Sequence, residues 1–411
     1  MELFKSTNYD FLGKKWLFII ASLILTAAGL VSLALKGGPL FGIDFKGGTL
    51  MTVKFSGKPP IDEIRSAVSK RLVGQEVTVQ DFEAGSNEVA IGTELKDERE
   101  LDRNRNTILD ALTTTFGQPA SRKLDFNNAG KDALVSRLRD ALVRNNAGMS
   151  DAQLQKLVDD ILNFRNTPPR SGLITSFDQL SAVPGATQPV VNTLKQECYL
   201  APFHVRGTQV VGAKVGADLR QRAVWATLAA LGGMLVYIAF RFEWIYGVAA
   251  VIAVFHDTII TIGFFSLFNK EISLTVIAAL LTLVGYSMND TIVIFDRIRE
   301  NLKLSRREPL EVLINRSVNQ TLGRTVMTSG LTFLTVVALF LFGGPVLHGF
   351  SFALVVGIII GTYSSVFIAS PIVLFWHNWF DQRKKSAMVA APAKLSPVKE
   401  PVRKSSVRTV K

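Results

Sequence analysis

The stretch "LLTLVGYSMNDTIVIFDRIREN", residues 280–301, places Asn289 and Asp290 inside a segment whose first half is apolar enough for a lipid bilayer. An aspartate at the centre of a membrane helix costs about 2.5–3.5 kcal/mol on insertion scales. Ionisable residues retained at that depth normally line an internal pathway or pair with one another. The stretch therefore predicts a membrane helix whose carboxylate has a function.

Further segments of the chain are long and apolar enough to cross a membrane, which takes about 20 residues. The predicted spans are 15–36, 222–241, 244–267, 272–295, 324–343 and 350–376. The first has Lys14 and Lys15 before it, as a signal peptide would, but its apolar run is long and Lys36 replaces a cleavage site. We interpret it as a retained anchor. The predicted fold class is an α-helical membrane protein with six transmembrane helices and an α+β extracytoplasmic domain between helices 1 and 2.

The basic residues indicate the orientation of these spans. In the short segments outside the spans, basic residues occur in 1–14, 296–323 and 377–411, and residues 383–411 hold nine Lys or Arg against one Glu. Because short basic loops stay in the cytoplasm, both termini are predicted to be cytoplasmic. The basic tail is thus better explained as a disordered, membrane-flanking cytoplasmic segment than as a specific nucleic-acid binder, and whether it lies on anionic lipid or near ribosomal RNA stays open.

The loop between the first two spans, residues 37–221, is then predicted to lie outside. Its first part, 40–125, mixes short β-rich runs with polar helical stretches and predicts a small α+β domain. Residues 126–200 have apolar positions at helical spacing and predict a helical insertion. Within it, "ITSFDQLSAVPGATQPVVNTLKQ" resembles a helix-hairpin-helix, which we interpret as a protein-packing hairpin.

Three ionisable residues on three different predicted spans each lie on a polar or small-residue face: Asp257, Asp290 and Arg324. At 100° per residue, polar side chains share a helical face with two of them. These are Thr282, Tyr286 and Asn289 beside Asp290, and Thr328 beside Arg324. The sixth span carries Gly349, Ala353, Gly357 and Gly361 at four-residue steps, a surface that lets helices approach closely.

A proton relay is the functional interpretation of these residues. Burial disfavours the charged form of a carboxylate and a nearby arginine favours it, so movement of Arg324 could switch Asp290 between holding and releasing a proton. A proton crossing the membrane supplies about 2.3 kcal/mol per 100 mV. Two alternatives stay open: a static Asp290–Arg324 pair that only joins helices, and simple pairing of Asp257 with its neighbour His256.

The sequence gives little support for phosphate binding, metal or cofactor binding, or enzymatic activity. "GIDFKGGT", residues 42–49, nearly fits a phosphate-binding loop, but Gly48 stands where lysine is required. Gly47 and Gly48 are instead expected to form a tight turn. Four scattered histidines and a single cysteine predict no metal site and no cofactor. The aspartates lack the surrounding sequence of an intramembrane aspartyl protease, so no enzymatic activity is expected.

Several motifs nevertheless resemble one known family, SecD/SecF, in sequence and in order. They are "FGIDFKGGT" after the first span, "FRFEW" and "AVIAVFHD" up to Asp257, "VGYSMNDTIVIFDRIREN" in the fourth span, and "NQTLGRTVMTSG" in residues 319–330. The last three resemble the SecF branch in particular. The resemblance covers about residues 1–95 and 205–380, and the insertion at 126–200 departs from the family's shorter outer domain.

This resemblance implies a half-transporter of the resistance-nodulation-division (RND) superfamily in a bacterial cytoplasmic membrane. The implied role is to use the proton-motive force in late stages of polypeptide export, with Asp290 and Arg324 as the relay and Asp257 as a further member. The implied partners are SecD, the SecYEG channel and the exported unfolded polypeptide, with a YajC-type subunit as a further candidate. The alternative is a proton-coupled small-molecule or lipid exporter of the same superfamily.

Overall fold

The computed structural model describes residues 7–81, 87–94, 101–118, 122–144, 149–241, 244–305 and 308–379. Residues 1–6 of the predicted N-terminal segment, Arg306 and Arg307 of the basic loop, and residues 380–411 of the predicted basic tail lie outside these ranges. Within the described part of the chain, six helices are long and apolar enough to cross a membrane. With the sheet-containing domain described below, this confirms the predicted fold class.

The membrane helices are separated in sequence by one large domain, which follows the first of them. They are α1 (Lys15–Leu35), α8 (Ala213–Arg241), α9 (Trp244–Leu267), α10 (Leu274–Leu304), α11 (Leu310–Phe342) and α12 (Gly344–Ser364). A π-helical turn at Ser365–Ala369 follows α12, and the same helix then continues to Trp379. Helices α8, α10 and α11 each extend well beyond the predicted span at one end, and these polar extensions carry ion pairs such as Arg297 with Glu300.

The outer domain begins with a sheet subdomain built on antiparallel strands. Its elements are α2 (Ile43–Lys46), β1 (Gly48–Phe55), α3 (Ile61–Arg71), β2 (Val77–Asp81), β3 (Glu88–Glu94), α4 (Leu101–Phe116) and β6 (Phe203–Val211). Among the described residues the sheet has the order β2-β3-β1-β6. Alternate residues of β1, such as Met51 and Val53, are fully buried with apolar residues of α3 and α4. This alternation is the period-two pattern of a half-buried strand.

A helical subdomain lies between β3 and β6 in sequence. It contains β4 (Leu124–Asp125), α5 (Lys131–Arg144), α6 (Asp151–Asn166), a 3₁₀ turn (Phe177–Ala182), α7 (Gln188–Glu197) and β5 (Cys198–Tyr199). These elements bury an apolar core of their own, separate from that of the sheet. The hairpin-like segment packs into this core through Leu180, Val183 and Val190, as a protein-packing hairpin would.

A buried polar junction joins the two subdomains. The side-chain amide of Asn127 donates to the carbonyls of Ile174 and Ala201, at 3.1 and 2.7 Å, and its oxygen accepts from the Ile174 N–H. His204 Nδ1 contacts the Asn127 carbonyl, and burial lowers the pKa of His204 to about 4. Because these polar groups have partners, the junction can stay buried at little penalty.

Small residues fix how the membrane helices pack. A Cβ atom on Gly357 of α12 would lie 2.5 Å from the Leu283 side chain of α10, and one on Gly361 would lie 3.0 Å from the Ser287 Cβ. Gly29 of α1 and Gly263 of α9 approach each other as closely. These contacts leave no room for larger side chains, so the small-residue face of α12 sets its distance from α10.

Candidate functional site

Asp290 lies in the middle of α10 and faces α11. Its exposed fraction is 3%, and its Oδ2 atom accepts a hydrogen bond of 2.8 Å from the hydroxyl of Ser329. A hydroxyl bond to a buried carboxylate offsets part of the penalty for removing the charge from water. The carboxylate therefore faces another helix rather than bulk water, as the relay hypothesis requires.

Arg324 lies on α11, on a turn next to that of Ser329, and is exposed. It interacts electrostatically with Asp290 but forms no ion pair with any described residue. Its backbone carbonyl accepts from the Thr328 hydroxyl at 3.0 Å. The structure thus brings the two predicted relay residues near each other without locking them together, and the static pair that was considered as an alternative is not seen.

The residues of the predicted polar face of α10 lie in different environments. Tyr286 is half-buried, with its hydroxyl beside Ser329, whereas Thr282 and Asn289 are exposed. The reason is geometric, because the polar arc is about 100° wide and α11 covers only the edge that holds Asp290. Thr328 of α11 is also exposed.

Asp257 of α9 is fully buried and lies in a different set of contacts. Its Oδ2 atom accepts hydrogen bonds from Ser287 of α10, at 2.6 Å, and from Ser364 of α12, at 2.8 Å. Its Oδ1 atom lies 2.9 Å from His256 Nδ1. The open alternative of His256 pairing with Asp257 is therefore observed. Arg324 takes no part in this network.

Serine residues complete both sites, and the sequence analysis missed them. On a helical wheel Ser287 lies about 60° from Asp290, close enough to have been considered, whereas Ser329 lies about 140° from Arg324 and is not on the face that the sequence analysis selected. Ser364 immediately precedes the π-helical turn of α12. Such turns are rare and often occur at functional sites, and no sequence signal indicated this one.

The predicted glycine turn, Gly47 and Gly48, precedes β1. Both residues have positive φ, 77° and 157°, and a Cβ atom on Gly47 would lie 2.5 Å from Ala213 Cα. Only glycine tolerates this backbone together with such a close approach. The turn thereby seats the start of α8 against the base of the outer domain. Among the described residues, no group of His, Cys, Asp or Glu side chains is placed to hold a metal ion.

Comparisons with known proteins match this architecture. Residues 192–379 match the family described as protein export membrane protein SecD/SecF, C-terminal, and residues 41–58 match the SecD/SecF GG motif. Protein translocase subunit SecF of Koribacter versatilis is 48% identical over 409 residues, covering 97% of this chain and 99% of the relative. An alignment of that extent includes most of the 126–200 insertion, so the relative shares it.

Longer relatives place the chain within a larger assembly. SecDF of Thermus thermophilus is 53% identical over 174 residues, which cover 42% of this chain and 24% of SecDF. A crystal structure of Thermus SecDF, described as a translocon-associated membrane protein, matches with a TM-score of 0.60 and 31% identity. It covers 91% of this chain but only 39% of the SecDF chain. The remainder of SecDF implies a SecD-type partner for the present chain.

Six apolar helices with buried carboxylates and one large domain after the first helix define a multi-pass membrane protein with the RND-like fold of SecDF. The chain belongs to the SecD/SecF family of protein export membrane proteins. Its similarity over the whole length is to the SecF subunit, whose role in Sec protein export is accessory and not enzymatic.

Proposed function

We propose that this chain uses the proton-motive force to drive late stages of polypeptide translocation across the bacterial cytoplasmic membrane. Asp290 is the carboxylate that gains and loses the proton, and Arg324 is the cation whose position favours the charged form. The observation that carries the proposal is the geometry between α10 and α11. Asp290 is almost fully buried and is hydrogen-bonded by the Ser329 hydroxyl and the Asn289 side chain, while Arg324, which forms no ion pair with any described residue, lies within electrostatic range.

This geometry makes the charge of Asp290 sensitive to small movements. When Arg324 is close, the carboxylate is stabilised in its charged form, and when it is remote, burial favours the protonated form. Because Arg324 is not held in an ion pair, a shift of α11 relative to α10 changes the balance. Protonation then favours one arrangement of the two helices, which is how a proton gradient can bias a conformational equilibrium.

The outer end of α10 connects this switch to the outer domain. The backbone N–H of Leu274, the first residue of α10, donates to the Asp44 carboxylate at 2.8 Å. Gly42 and Ile272 are joined by a backbone hydrogen bond of 3.0 Å, and Glu271 accepts from Gln80 of β2 at 2.8 Å. Any tilt of α10 is therefore passed directly to the glycine segment and to the sheet.

The orientation of the termini is part of the proposal. Asn315 and Asn319 of α11 accept hydrogen bonds from the backbone of Phe11 and Tyr9, both at 2.9 Å. The described N-terminal residues therefore lie at the same end of the helices as the basic loop between α10 and α11. By the charge rule for short loops, this end is cytoplasmic, and the outer domain faces the opposite side.

A partner subunit would cover polar residues that this chain leaves exposed on its membrane helices. Asn289, Arg324 and Thr328 are exposed on membrane-spanning helices, where contact with lipid is unfavourable. A SecD-type half that covers this polar strip would remove it from lipid. We further propose that the assembly acts beside the SecYEG channel on unfolded polypeptide, with a YajC-type subunit as an additional partner.

The test compares export in cells that carry Asp290→Asn or Arg324→Met at normal protein level. The matched control is Asp296→Asn. Asp296 lies on the same helix and forms an exposed ion pair with Arg299. We expect both relay variants to abolish the proton-driven part of export while assembly with the partner persists, and the control to export normally. Normal export by Asp290→Asn would overturn the proposal.

A further inference from the structure

The His256 ring lies among α1, α9 and α12. One ring nitrogen contacts a residue of its own helix, α9, and the other contacts a residue of α1. The His256 side chain is 14% exposed. Nδ1 faces Asp257, while Nε2 contacts the hydroxyl of Ser22 on α1, a residue with 2% exposure. The Tyr363 hydroxyl of α12 donates to Ser22 Oγ at 3.1 Å. A continuous row of hydrogen-bonding groups therefore runs from Tyr363 through Ser22 and His256 to Asp257.

The packing of α1 against α9 fixes Ser22 in this position. Ser22 meets His256, Gly29 meets Gly263, and Ser32 bonds with Ser266 at 2.8 Å. Each contact joins residues separated by the same 234 positions, so the two helices run parallel in one register. The close glycine contact sets the distance between α1 and α9, because the two backbones already touch there.

The hydrogen-bond directions in this row are consistent from end to end. With Nδ1–H donating to Asp257, neutral histidine has a free lone pair on Nε2 that accepts from Ser22 O–H. The oxygen of Ser22 then accepts from Tyr363. The second oxygen of Asp257 is occupied by Ser287 and Ser364, so a proton reaches this carboxylate along the row only through His256.

We propose that His256 and Asp257 hold one exchangeable proton between them and that Ser22 and Tyr363 form its path of entry. An incoming proton binds the Tyr363 oxygen, Tyr363 passes its own hydrogen to Ser22, and Ser22 passes its hydrogen to Nε2. The product is an imidazolium beside a carboxylate, a pair without net charge. The unprotonated state is a single buried negative charge, which is unfavourable in a membrane.

The groups that face His256 support this assignment. Its own helix contributes Asp257 and α12 contributes Tyr363, whose ring lies edge-on at 6.2 Å. From α1 the facing group is the uncharged hydroxyl of Ser22, and α10 reaches the pair through Ser287. Among these described contacts, no second cation competes for the Asp257 carboxylate.

A Ser–His–Asp row also suggests a hydrolytic nucleophile, and the geometry argues against that. Ser22 is almost fully buried, and its oxygen already accepts a hydrogen bond from the Tyr363 hydroxyl. Attack on a carbonyl requires an open position about 3 Å from the nucleophile. A proton needs no such space.

The experiment follows the four histidine side chains of the full-length protein, labelled with ¹⁵N and placed in lipid nanodiscs, by NMR between pH 5 and 9. His256→Gln assigns the His256 signals. We expect Asp257→Asn to weaken proton binding at His256 by about tenfold or more, since an adjacent opposite charge changes proton affinity to that extent. The control Tyr237→Phe, an exposed tyrosine of α8, should leave the signals unchanged.

The entry path has its own readout, the exchange rate of the Nε2 hydrogen. Ser22→Ala and Tyr363→Phe should leave the His256 titration in place but slow this exchange by about tenfold or more, because proton transfer through a positioned group is worth about 10²–10⁴-fold. Unchanged exchange in both variants would overturn the path. A His256 that stays neutral throughout, or that ignores Asp257→Asn, would overturn the shared proton.

The contribution of this pair to energy coupling rests on the proposed export function, but the NMR measurement does not use export. Normal export by Asp290→Asn would overturn the export mechanism and leave the shared proton standing. Conversely, an inert His256 would leave the Asp290 mechanism intact.

Discussion

Asp257 and Asp290 lie on adjacent membrane helices and are both almost fully buried, yet their carboxylates are held in different ways. Asp257 is surrounded by Ser287, Ser364 and His256, which together contact both of its oxygens. Asp290 is hydrogen-bonded by one hydroxyl, that of Ser329, and by the neighbouring Asn289 side chain, and Arg324 is within electrostatic range without forming an ion pair with a described residue. A closely surrounded carboxylate resists rearrangement of its helices, whereas a loosely held one responds to it.

The two sites therefore divide the membrane helices into a rigid and a responsive part. Around Asp257, α9, α10 and α12 pack through glycine and serine with no spare volume. Around Asp290, α11 offers a polar face that is only partly covered within the described chain. We infer that α11 moves relative to the other helices and that the Asp257 side provides the frame for that movement.

The largest expected effect tests this difference in packing. Gly361→Leu places a side chain where the Ser287 Cβ lies 3.0 Å away, and overpacking of this kind typically costs about 1–3 kcal/mol. Gly330→Leu on α11, where no atom lies within 4 Å, is the matched control and should be tolerated. Thermal unfolding in detergent measures both. Equal destabilisation would show that the two sides are packed alike.

A second prediction concerns the aspartates themselves. Asp257→Asn keeps the size of the side chain but introduces an amide that cannot accept every bond now made to the carboxylate, so we expect a loss of about 2 kcal/mol. Asp290→Asn should lose less stability, because fewer hydrogen bonds are affected and no histidine contacts this carboxylate among the described residues. The Asp257 variant should therefore unfold at the lower temperature, whereas the Asp290 variant should have the larger export defect. The same ranking in both measurements would contradict the division into frame and switch.

The serine partners give a smaller and finer test. Ser287→Ala and Ser329→Ala each remove one hydroxyl from a buried carboxylate, for about 1 kcal/mol of stability. We expect export to decrease in Ser329→Ala, whose carboxylate loses its hydroxyl donor, and to persist in Ser287→Ala, since Ser364 and His256 still hold Asp257. Export assays at matched protein level test both expectations. Loss of export in Ser287→Ala alone would reverse the roles of the two sites.

The junction in the outer domain provides a reference outside the membrane. The pKa of His204 falls from an ordinary value near 6.5 to about 4 in the folded protein, because the buried ring is kept neutral. Its contribution to stability is complete above about pH 6.5 and is lost as the pH falls through 6.5 towards 4, since the unfolded chain binds the proton first.

Hydrogen exchange of the full chain, corrected for its intrinsic pH dependence, should show weaker protection around Asn127 at pH 5 than at pH 7.5. His204→Gln should remove that difference, and His377→Gln should not. Protection that is the same at both pH values in the unmodified protein would show that His204 does not control the junction. A buried network of this kind responds to pH only by loosening, in contrast to the switch expected at Asp290.

By itself, the sequence determined the six membrane helices and the intervening domain, and it singled out Asp290, Arg324 and Asp257 as candidate site residues, because hydropathy and cost of burial are properties of each segment alone. It also sufficed for the family, through motifs that are continuous in the chain. Only the tertiary structure decided which hydroxyls hold each carboxylate, that Arg324 forms no ion pair with a described residue, and that Ser22 contacts His256. Those contacts depend on the rotation and depth of one helix relative to another, and close packing of small residues such as Gly29, Gly263 and Gly361 sets both.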